Sequence, residues 1–131
     1  MKGLKINGTE YAVKVSADQP IKRTPVKVYG INNGTALNGR DIEDLIGIKL
    51  SFTLHIEPEE GRMPQYQLVY AKLRQTSGPL TVSLPYSGSG LTDYVCKVVS
   101  FTDEYDGDAG GSAHWKGLTV TLQTVEPVWR A

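Results

Sequence analysis

The sequence predicts a mainly β domain: an antiparallel β-sandwich or open barrel with one packed α-helix. Three observations lead there. Ile48, Leu50, Phe52, Leu54 and Ile56 alternate strictly with Lys49, Ser51, Thr53 and His55, which places every apolar side chain on one sheet face. Tyr66, Val69, Tyr70 and Leu73 then recur at i, i+3, i+4 and i+7, one face of a helix. Three further strand-like runs follow that helix, an order suited to sheet layers with one helix against them.

Taken in order, Lys2–Ile6 and Tyr11–Val15 flank Asn7-Gly8, a hairpin signal because Asn-Gly accepts positive φ. Residues 16–46 are interrupted by Pro20 and Pro25 and by the turn signals Asn33-Gly34 and Asn38-Gly39. Within them Val26–Tyr29 suits a short strand, and the rest suits a long loop or irregular hairpin arm. The strong strand spans Ile48–Ile56, about 30 Å at roughly 3.3 Å per residue. Glu57-Pro58-Glu59-Glu60-Gly61-Arg62 breaks it. The helix is expected over Pro64–Gln75, with Pro64 in its first turn and Gly78-Pro79 as its stop. Leu80–Leu84 alternates again. Asp93–Phe101 carries apolar residues at both parities, which predicts a central strand covered on each side. An acidic, glycine-rich loop runs from Asp103 to Gly111, and Trp115–Val125 closes the domain with Leu118, Val120 and Leu122 facing inward.

At 131 residues the chain suits one domain, 1–131, able to bury a core without staples. Lys+Arg 14 against Asp+Glu 14 leaves no net charge, which argues against nucleic-acid binding driven by phosphate neutralisation and permits self-association. The lone Cys96 lies in an apolar run and suits a small buried hydrophobe. The N-terminus lacks the continuous apolar stretch of a signal peptide, and no segment approaches the roughly 18 apolar residues of a membrane helix. A soluble chain made in the cytoplasm, with no membrane partner, is the expectation.

No residue set declares a reaction. His55 and His114 lack the paired spacing of a zinc site. Asp103, Glu104, Asp106 and Asp108 lack the spacing of a calcium loop and suit a solvated turn. Glu57, Glu59 and Glu60 suit a helix N-terminus better than an acid/base pair. Ser87-Gly88-Ser89-Gly90 is neither a nucleophile elbow nor a phosphate loop. No catalytic residue, metal ligand or cofactor is therefore expected. Trp115, with Tyr105 and the acidic loop, suits a carbohydrate- or peptide-binding module, the alternative function.

From Asp41 to about Pro127 the element order resembles the tail-tube-like domain of long-tailed bacteriophages, most closely the N-terminal domain of distal tail proteins. The residues that carry the resemblance are Gly47–Ile56, the helix, Gly78–Pro85, Asp93–Val98 and Trp115–Leu122. It implies a non-enzymatic structural subunit of a tail or baseplate, made in the host bacterial cytoplasm and located in the virion. Copies would assemble with other tail proteins into a ring, commonly a hexamer, around a channel through which DNA passes without sequence-specific binding. The chain departs from a full distal tail protein in lacking its large second domain. On this expectation the exposed edges of the sheet pair with neighbouring copies. The interface candidates are Asn32, Asn33, Leu37, Asn38 and Arg40 in the Asn/Gly-rich arm Gly30–Arg40, and Val128, Trp129 and Arg130, since Trp and Arg are frequent at interface hot spots.

Overall fold

The computed structural model describes residues 1–17, 19–29, 34–35, 41–42, 45–75, 78–86, 90–105 and 115–130. Along them the order is β1 (Lys2–Ile6), β2 (Thr9–Val15), β3 (Lys22–Tyr29), β4 (Gly34–Thr35), β5 (Asp41–Ile42), β6 (Leu45–Pro58), α1 (Met63–Leu73), β7 (Leu80–Pro85), β8 (Leu91–Tyr105), β9 (Trp115–Thr124) and β10 (Trp129–Arg130). The fold is mainly β with one helix.

All strand pairs are antiparallel, and they run in a circle. β6 pairs with β2, β2 with β1, β1 with β7, β7 with β8, β8 with β9, and β9 returns to β6. The result is a barrel, pinched where β1 meets β7. There the register is Ile6↔Val82, and Asn7 completes the seam: its N–H donates to the Thr81 carbonyl at 2.7 Å and its Oδ1 accepts the Thr81 N–H at 2.9 Å. The Asn7-Gly8 turn joining β1 to β2 has φ of 51° and 83°, the left-handed pair that makes Asn-Gly a hairpin turn.

The apolar row of β6 lines the barrel. Phe52, Leu54 and Ile56 are fully buried against Leu118 and Val120 of β9, and Phe52 stacks on Tyr94 with ring centres 5.2 Å apart. Tyr66, Val69 and Leu73 of α1 join the same core. The helix is also tied to the sheet through Gln65, whose Oε1 accepts the Ala12 N–H at 3.2 Å. The other face of the β6–β9 ladder is polar. Thr53 meets Thr121 (Oγ1···Oγ1 3.4 Å), and His55 meets Thr119 (Nδ1···Oγ1 3.4 Å) while its Nε2 lies 3.2 Å from Glu57.

Several boundaries differ from expectation. β3 begins at Lys22, four residues before Val26, despite Pro25. The reason lies in β6: the Leu50 N–H turns away from β3 and donates to Thr124 Oγ1 at 3.1 Å. Pro25, opposite Leu50, therefore points its ring nitrogen to the free edge, where no donor is required. β6 extends past Ile56 to Pro58 because Glu57 and Pro58 find partners in Lys14 and Val13. The helix ends at Leu73, with Arg74 still right-handed (φ −81°), so Gly78 is not its cap. Glu59 and Glu60 stand before the helix, yet its first turn holds no acid, and Glu57 is spent on His55. Asp103, Glu104 and Tyr105 lie in β8 rather than in a loop. β8 is central in the pairing order, but only one face is covered: Val95 is 45% and Val99 52% exposed. A register shift between Val98 and Ser100 places the extra residue at Val99 and turns Phe101 inward at the other parity, while Val95, ahead of the shift, stands exposed on the uncovered face.

Replacing Phe52 with Ala should cost about 3–5 kcal/mol in a denaturant titration, since the ring is fully buried. Val99→Ala, at the half-exposed bulge, should stay within about 0.5 kcal/mol. Similar losses at both sites would mean that the strand faces are wrongly assigned.

Candidate functional site

Two places draw side chains together in a way that packing alone does not require. One is the start of β6. Here β3 and β6 form a long hairpin, in register from Lys22↔Thr53 to Val28↔Gly47 and shifted by one residue at Tyr29↔Leu45, and the short β4–β5 ladder (Gly34↔Ile42, Thr35↔Asp41) is nested within it. Exposure of the core-facing row rises steadily toward this end. Phe52 is fully buried, Leu50 is 7% exposed and Ile48 is half-buried; Ile46, at the register shift, is 47% exposed. The row simply runs out of barrel.

The C-terminal segment lands on the same end. Past Gln123 the β6–β9 ladder stops, and Thr124 serves β6 with its side chain instead. Val125 donates its N–H to the Val95 carbonyl at 3.0 Å. Val128 then donates to the Ile48 carbonyl at 2.8 Å, and Trp129 and Arg130 pair with Ile48 and Gly47. Gly47 makes this possible. A Cβ there would stand 2.8 Å from both Pro127 Cβ and the Trp129 carbonyl. Trp129, directly opposite Ile48, shares its sheet face, so indole and Ile48 form an apolar surface at the root of the arm, next to the exposed Ile46, which the register shift between Val28 and Tyr29 leaves unpaired. The backbone of the C-terminal segment is docked on its own domain, while Val128 and Trp129 remain 45% and 49% exposed. Asn32, Asn33, Leu37, Asn38 and Arg40 lie outside the described residues, and of Arg130 only the backbone is described. Ile46 is an exposed apolar residue at this end that sequence reasoning missed, because an unpaired residue at a register shift has no burial period to mark it.

The second place is a groove of about 240 Å³ lined by Tyr66, Gln67 and Tyr70 of α1, Asp103 of β8 and Trp115 of β9. Trp115 leans on Tyr105 with ring centres 5.0 Å apart, and Tyr70 meets Phe101 edge-on at 5.3 Å. Tyr66 is 2% exposed, and its hydroxyl has no hydrogen-bond partner among the described residues. Burial pushes this phenol up to about 12, and the nearby Asp103 and Tyr70 add to the rise. Tyr105 and Trp115 were legible as a binding pair. The helix residues were read as core alone.

Elsewhere, Cys96 is fully buried, and burial pushes its thiol up to about 11. That is the inert hydrophobe expected of it. Among the described residues no group of three or more His, Cys, Asp or Glu side chains could hold a metal ion. No described helix is long and apolar enough to cross a membrane. Compared with known proteins, the chain matches no family model, no curated protein and no solved structure.

The two raised values predict an alkaline weakness. Unfolding returns Cys96 and Tyr66 to ordinary values of 9.0 and 10.0. Between those values and the folded ones, the folded chain holds protons that the unfolded chain has lost, so stability falls as pH rises. The melting temperature should drop from pH 9 toward pH 12. The fall should be shallower in Tyr66→Phe above pH 10 and in Cys96→Val above pH 9. Slopes identical to the parent in both variants would show that neither group is protected by the fold.

Proposed function

We propose that this chain is a non-enzymatic structural subunit of a bacteriophage tail or baseplate, assembling with copies of itself and other tail proteins into a ring around the DNA channel. The observation that carries the proposal is the apolar surface at the root of the β3–β6 arm. A core-facing row continues past the end of its own barrel, and the C-terminal Trp129 is fixed beside it with half its surface in solvent. Exposed aromatic and aliphatic groups on a projecting hairpin suit a contact with a neighbouring copy. A chain without net charge offers little repulsion to such a contact.

The contact runs through side chains rather than by adding strands edge to edge. β3 pairs only with β6, so its other edge is free among the described strands. Pro25 removes an outward donor there, and Lys22, Arg23 and Lys27 add positive charge, the usual blunting of an edge. This revises the expectation that neighbouring copies pair through open edges. The polar sheet face supports the channel role: Ser51, Thr53, Thr119, Thr121 and Gln123 meet across β6 and β9, with His55 beside Glu57 at one end of the ladder. A face made mostly of hydroxyls, without a cluster of basic side chains in this ladder, gives a phosphate backbone little to grip.

Sedimentation of the full chain at rising concentration tests the proposal. It should show ring-sized species, a hexamer by the resemblance. Deleting Gly30–Arg40, truncating after Pro127, or Trp129→Ala should each give a folded monomer. Gly47→Val should act like the truncation by displacing Pro127 and Trp129. A full chain that stays monomeric at high concentration and joins no particle would overturn the assignment.

A further inference from the structure

The helix–hairpin groove is a second and separate site. We propose that it binds one neutral sugar ring, with Trp115 as the stacking surface and Tyr66, Gln67 and Asp103 as hydrogen-bonding partners. A pyranose presents an apolar C–H face and a rim of hydroxyls, each able both to donate and to accept. The groove offers the matching set. Trp115 is braced by Tyr105, and Tyr70 by Phe101, so the aromatic walls are held before any ligand arrives. The Asp103 carboxylate accepts, Gln67 donates and accepts, and the Tyr66 O–H donates.

Tyr66 is the decisive member. Its residue is 2% exposed, and a buried hydroxyl without a partner among the described residues is expensive to keep, because a buried donor left unpaired forfeits its water. Phe would fill the same core position without that loss. An oxygen brought by a ligand supplies the missing acceptor. The groove's size suits a single ring: about 240 Å³ is below the roughly 300–1,000 Å³ of sites for larger small molecules.

The lining also excludes other ligands. Among the described residues the lining contains no Lys or Arg, and Asp103 would repel an anion, so phosphate and carboxylate groups are disfavoured. Aromatic faces beside a carboxylate do attract organic cations. An ammonium group, however, brings donors or bare methyls and no acceptor, and leaves the Tyr66 O–H as it was.

The test uses the full chain carrying Trp129→Phe, which leaves Trp115 as the sole indole of the two in the sequence. Trp115 emission is titrated with the methyl glycosides of glucose, galactose and N-acetylglucosamine, and separately with tetramethylammonium chloride. At least one glycoside should change the emission saturably. Tyr66→Phe and Asp103→Asn should each weaken that binding about fivefold or more, the loss of one hydrogen bond. Tyr66→Phe should melt no lower than its parent at neutral pH, which separates loss of a ligand contact from loss of fold. Leu68→Ala, on the exposed face of α1, should bind as the parent does. The proposal is overturned if no glycoside saturates the signal, if only tetramethylammonium does, or if both groove variants bind like the parent.

Discussion

β6 hydrogen-bonds along both of its edges for most of its length, and the other elements take their places from it. On one edge it carries β3 and then β2; on the other it carries β10 and then β9. The strand is long enough to do this because its inward residues remain apolar from Ile48 to Ile56, and a period of two keeps them on one face. A slip of one residue would send Phe52 and Leu54 outward and break the barrel at its widest ladder. The positions where β6 changes partner are correspondingly specific. Thr124 supplies a side-chain oxygen to Leu50 where β9 ends, and Gly47 leaves room for Pro127 where β10 begins. Neither residue contributes much to the core, yet both decide where the C-terminal segment can lie.

How much of this was legible in the sequence follows from what each residue's periodicity reports. The alternation of β6 and the helical spacing of Tyr66, Val69 and Leu73 describe burial directly, and both proved to be core. β3 was half missed because an exposed strand has no burial period to read, and Pro25 counts against a strand unless the free edge is known. β8 was misjudged for the opposite reason. Val95 and Val99 are apolar yet exposed, and the bulge at Val99 brings Phe101 inward at the other parity, so the strand shows apolar residues at both parities while a single layer covers it. Helix ends are set by local hydrogen bonds: the Arg74 N–H still reaches the Tyr70 carbonyl at 3.0 Å, and no glycine is needed to stop there.

The candidate sites divide along the same line. Trp115 and Tyr105 could be singled out because aromatic residues beside a loop are unusual in themselves. Their helix partners could not, since Tyr66, Gln67 and Tyr70 come to line one groove with Asp103 and Trp115 only after the barrel has closed. The Tyr66 side chain belongs to the core and also lines the groove. Spacing reports only its burial.

The register of β6 also fixes how the two sites are related. Ile48 pairs with Trp129 at the arm, while Ile56 pairs with Leu118, which in turn pairs with Asp103 at the groove. Eight residues of extended strand therefore separate them, about 25 Å at roughly 3.3 Å per residue. On the two proposals above, a neighbouring copy seated on Ile48 and Trp129 would engage one end of the barrel, and a sugar ring beside Trp115 would occupy the other. The strand that organises the core would then also keep the proposed assembly contact and the proposed ligand site apart, so that a subunit held by its arm would still present its groove.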